Sequence, residues 1–189
     1  RALIPTIALL LFALAPPGQG REPARPASSN PEAQKHIDRA WSALDEEMRV
    51  QELDRAIAEL EKAAKLDPEN DALLVELAGE YFQRGYRMPD GNDVEIKARN
   101  VYFHKGYDMA KKALSIRESA GSHGWLAANL GALKQHESFM AQAAILPEVN
   151  EHLDWIAAND KGYKYGYVTR FWLGVLSRAP SVILKMLGE

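Results

Sequence analysis

The chain has 189 residues, 47% of them hydrophobic and 26% charged, with a formal net charge of -3. That balance suits one globular domain with a sizeable core, and it provides no basic field to attract nucleic acid. There is no cysteine, so disulfides, thiol catalysis, thiolate metal sites and cysteine-linked lipid are excluded together.

Residues 2–15 form an uncharged apolar run after Arg1. It is shorter than the roughly 20 residues a membrane-spanning helix needs. Its length and small terminal residues fit the apolar region of a secretory signal peptide, with residues 1–20 as the whole leader. Retention of the segment as an N-terminal membrane anchor is the alternative, and either reading exports the protein to a periplasmic or extracellular space. Pro16, Pro17, Pro23, Pro26 and Pro31 then break any helix, and residues 21–31 read as a flexible linker. Asn30-Pro31-Glu32 is a helix start, with a capping side chain, a first-turn proline and an acid at the positive end.

From residue 32 to 189 nothing reads as a strand. The apolar residues recur at the three-and-four spacing of amphipathic helices. Small residues mark where two helices can approach closely. Ala56, Leu60, Ala63 and Pro68 follow a small, large, small, proline order that matches the second helix of a 34-residue tetratricopeptide unit. Leu74, Leu77, Ala78, Tyr81 and Gly85 match the first helix of the next unit. The register then slips. A loop over 87–93 and a helical stretch over 94–104 precede Gly106, Ala110 and Ala113, which hold the small positions of a delayed second helix. Trp125 opens a third pair, and helices over about 125–137, 147–159 and 165–178 complete the expectation. The fold read from these signals is all-α, with about seven helices in a right-handed superhelical stack.

No residue pattern marks a reactive centre. The five histidines lie in no i, i+4 pair that would put two imidazoles on one helix face. His36 reads as a lone residue on an exposed helix, and His123 as part of a turn over 119–124. The Glu59 and Glu61 carboxylates read as a solvated face beside Lys62 and Lys65. Neither a nucleophile elbow nor a glycine-rich phosphate loop is present, so no enzyme activity, cofactor or metal is expected. The aromatics are the better sign of function. Tyr163, Tyr165 and Tyr167 alternate in a glycine-flanked turn, so all three cannot face inward. Tyrosine joins a rigid apolar body to a polar tip, which suits a binding surface. Arg170 could meet a carboxylate bidentately, with Trp172 beside it. Asn129 sits mid-helix between apolar neighbours, where it serves either an interhelical hydrogen bond or a ligand.

Residues 40–160 resemble the tetratricopeptide-repeat superfamily in general. Gly124-Trp-Leu-Ala-Ala-Asn-Leu-Gly131, Gly162-Tyr-Lys-Tyr-Gly-Tyr167, Phe171-Trp-Leu-Gly174 and Arg178-Ala-Pro-Ser181 more narrowly resemble the TatT family, associated with tripartite ATP-independent periplasmic transporters. The resemblance implies a periplasmic helical protein that forms homo-oligomers and docks on a solute-binding partner. It departs from the family in lacking the lipoprotein cysteine many members carry. Three functions follow as expectations: a transport accessory acting by protein–protein interaction, a small-ligand carrier with an apolar or carboxylate ligand in the groove, or a membrane-anchored subunit of a larger assembly held through residues 2–15.

Overall fold

The computed structural model describes residues 25–44 and 50–163. Among these residues there is helix and connection but no strand. Seven helices follow in order: α1 (Pro31–Ala43), α2 (Val50–Leu66), α3 (Asp71–Tyr86), α4 (Asp93–Ile116), α5 (Ala120–Leu133), α6 (Phe139–Ala144) and α7 (Leu146–Asn159).

Side-chain caps set most of the helix starts. Asn30 accepts from the amides of Glu32 and Ala33 at 3.0 and 3.3 Å, and Pro31 fills a first-turn position whose amide would have no partner. Asn92 caps α4 in the same way. Ser119 and Ser122 bond reciprocally at the head of α5, forming a capping box. His123, read from sequence as a turn residue, therefore lies in the first turn of a helix. Its glycine neighbours do not open the helix, because this box satisfies the free amides.

The residues before α1 are held in place. Ser28 Oγ donates to Asp67 Oδ2 at 2.5 Å, Asn30 Nδ2 to the Leu66 carbonyl at 3.0 Å, and Asn70 Nδ2 to the Ala27 carbonyl at 2.8 Å. Pro26 is buried, and the Arg25 guanidinium lies 5.0 Å above the Trp41 ring. The Ser28 hydroxyl and the Asn70 amide hold the Asp67 carboxyl below its ordinary value by bonding its charged form. The part of the linker from 25 to 30 is thus clipped to the α2–α3 turn. Asn70 also caps α3 through the Leu73 amide at 3.0 Å. Asn70→Ala is expected to lower the unfolding free energy by about 1 kcal/mol, read as a lower urea midpoint at unchanged slope.

Consecutive long helices run antiparallel. The start of α1 meets the end of α2 through Ser28–Asp67 and His36–Glu59. Tyr81 bonds Glu61, and Arg84 bonds Asp54, between α3 and α2. Arg117 at the end of α4 bonds Asp71 at the start of α3. Second neighbours run parallel: Gly79 of α3 faces Trp125 of α5, and Val75 faces Gly121, with the same sequence separation in both pairs.

Small residues sit at the crossings. Ala56 and Ala63 on α2 and Ala110 and Ala113 on α4 have no exposed surface, and Leu60, Leu77 and Tyr81 are buried among them or beside them. Glycine allows two still closer approaches. A Cβ on Gly79 would lie 2.7 Å from the Trp125 ring, and one on Gly106 would lie 2.4 Å from Asn129 Oδ1. Helix α4 corrects one expectation. The stretch over 94–104 and the delayed second helix are one continuous rod of 24 residues. Gly106 does not break it, because the missing side chain makes room for a neighbour rather than for a turn. The short α6, capped by Ser138, was not expected from the sequence.

Neither α3 nor α5 has an exposed residue along its length. Helix α5 is mostly apolar around its circumference, with Ser122, His123 and Asn129 buried among the apolar residues. By contrast, α2, α4 and α7 each keep a solvent face. No helix of the described residues is long and apolar enough to cross a membrane.

Candidate functional site

The sequence points to α5 and the aromatic turn after α7. Trp125 lies half-buried on α5, its indole against Gly79 and 5.6 Å from the Phe82 ring. Asn129, one turn on, is fully buried. Its Nδ2 donates to the Trp125 carbonyl of the same helix at 2.8 Å, and its Oδ1 has no hydrogen-bond partner among the described residues. The interhelical hydrogen bond expected there is absent, since the amide turns back on its own helix. The Oδ1 abuts Gly106 of α4 too closely to admit a ligand atom between them. Asn129 is therefore a packing residue at a helix crossing.

Tyr163 is placed by the turn after α7, where its amide donates to the Asp160 carbonyl at 3.0 Å. A Cβ on Gly124 would come within 3.0 Å of its ring, so the tyrosine lies flush on α5. Tyr165, Tyr167, Arg170 and Trp172 lie outside the described residues, so of the six binding candidates only Asn129 and Tyr163 can be located.

Two polar clusters have no counterpart in the sequence reading. In the first, His123 Nδ1 of α5 lies 2.9 Å from His152 Nδ1 of α7. Both residues are buried. His123 Nε2 is 3.1 Å from Glu118 Oε1, and its ring stacks on Trp155 with centroids 4.3 Å apart. Burial, and then the neighbouring His123, push the His152 imidazole below its ordinary value. The second cluster surrounds Arg99, which is only 3% exposed. Its Nη1 donates to Asp90, its Nε to the Gly85 carbonyl at 3.3 Å, and its face covers Phe103 at 5.3 Å. Asp90 also lies 3.3 Å from His136 Nε2. This cluster ties the loop over 87–92 to the turn after α5. It is a structural anchor, because every charge in it is already matched.

The other histidine expectation also changes. His36 is not isolated: its Nδ1 is 2.6 Å from Glu59 Oε2. Glu59, expected in a solvated face, has a side chain only 18% exposed. Lys62 and then His36 hold its carboxyl below the ordinary carboxylate value. Chain distance hides all these pairings, since no local motif links residues on different helices. Among the described residues no group of three or more histidine or acidic side chains is arranged to hold a metal ion.

Comparisons with known proteins give no family for this arrangement. No family model matches the chain, and neither the curated proteins nor the solved structures return a match.

Proposed function

We propose that the chain is an exported helical-repeat interaction protein, an accessory of a periplasmic solute transport system whose partner is a solute-binding protein. The observation that carries this reading is the parallel, equally spaced contact of α3 with α5 across small residues, with antiparallel helices between them. Helix pairs that meet their successors in that way generate a curved right-handed stack, and such stacks bind proteins through long surfaces.

The carrier reading has less behind it. Its ligand would lie between α5 and residues 163–172, of which only Tyr163, packed against Gly124, is among the described residues. Light scattering gives the oligomeric state of the full chain. Calorimetric titration against a periplasmic solute-binding protein from the same organism tests the partner. Micromolar binding supports the accessory role, and no heat at millimolar concentration removes it. A small molecule retained in native mass spectrometry would favour the carrier instead.

A further inference from the structure

The pair of imidazoles joining α5 to α7 is assigned no role by the reading above. Its nitrogens are 2.9 Å apart, the length of one N–H···N hydrogen bond. A metal ion bound tetrahedrally by two imidazoles at its usual bond lengths would hold them about 3.3 Å apart. The contact therefore contains a proton. Glu118 decides its direction in the neutral pair. A carboxylate only accepts, so His123 Nε2 carries a hydrogen and its Nδ1 carries a lone pair. His152 Nδ1–H then donates to His123 Nδ1, and His152 Nε2 is the free base.

One added proton is accommodated, because a cationic ring can still donate to a neutral one. A second is not. Both Nδ1 atoms would then carry hydrogens and positive charge at hydrogen-bond distance, in a buried place. We infer that the His123–His152 pair is a proton-operated clasp: it fastens α7 to α5 at neutral pH and opens when both rings are protonated.

The surrounding charges leave this logic in place. Glu118 faces the pair from the α4–α5 connection, with Arg117 beside it already engaged by Asp71 at 2.6 Å. Glu148 and Glu151 on α7 favour the charged ring but rank below burial and His123 in their effect. Glu148 is also bonded by the Tyr107 hydroxyl of α4 at 3.0 Å. The His152 imidazole is thus depressed in the folded chain and ordinary, near 6.5, in the unfolded one. Between those values the unfolded chain holds more protons, so the stabilisation present above pH 6.5 is lost as pH falls. The inference does not depend on the transport reading.

Amide exchange of the full chain at pH 7.5 and 5.0, corrected for intrinsic rate, tests the clasp. Exchange over α7 is expected to rise by about tenfold or more at the lower pH, while α1 and α2 stay protected. In His152→Asn, which keeps a polar atom at the same branch but does not titrate, that rise should disappear. An equal rise in the variant overturns the clasp. Proton NMR of the unaltered chain gives an independent readout. His152 is expected to titrate below the ordinary imidazole value, and titration at or above that value overturns the clasp. Stoichiometric Zn²⁺ binding at pH 7.5 that is lost in His152→Asn would also overturn it, by making the pair a metal site.

Discussion

Phe82→Ala should lower the unfolding free energy by about 3–5 kcal/mol, a large part of the roughly 5–15 kcal/mol typical of a folded domain. Phe82 is fully buried on α3. Its ring lies 5.5 Å from Phe103 of α4, 5.6 Å from Trp125 of α5 and 6.1 Å from Tyr86. One side chain thus touches three helices, and no neighbour can close over the space it leaves. Gly79 and Gly85 are already at contact with Trp125 and Phe103, so neither aromatic ring can slide without losing its own seat. Urea unfolding followed by circular dichroism measures the loss. A cost below about 1.5 kcal/mol would mean that the site collapses, and that the three helices are not locked through this residue.

The crossing of α4 with α5 gives the second large effect. Gly106→Ala should cost about 2 kcal/mol even after the roughly 1 kcal/mol that alanine adds to helix propensity. The new methyl would meet Asn129 Oδ1 at 2.4 Å and Cγ at 2.8 Å. That side chain cannot swing away, since it is fully buried and bonded to the Trp125 carbonyl. Asn129→Ala alone should change stability by less than about 1 kcal/mol. It removes a bond but also an acceptor that is buried without a partner. The double variant should then be more stable than the two losses added together, with a coupling of about 1–2 kcal/mol. Additive losses would show that the residues do not meet, and would return Asn129 to the set of ligand candidates.

Much of the fold could be read from local signals. Asn30-Pro31-Glu32 starts α1 where a cap, a fixed φ and an acid coincide, and Asp67-Pro68 ends α2 because proline cannot continue it. The alanines at 56, 63, 110 and 113 are small because backbones cross there, and they are buried. Gly106 reads as a small position of a delayed second helix, and it lies inside a 24-residue helix that also takes in the stretch over 94–104. Its effect on the backbone costs about 1 kcal/mol, which the packing of α4 against α3 and α5 outweighs.

By itself the sequence determined the class of structure and most helix positions, because capping, periodicity and proline act within a few residues. It also determined that thiol chemistry is absent. Only the tertiary structure decided that His123 meets His152, that Arg99 is buried between two turns, and that Asn129 fills the space Gly106 leaves. Those contacts join residues on separate helices, and their energies depend on distance and burial that no local pattern encodes.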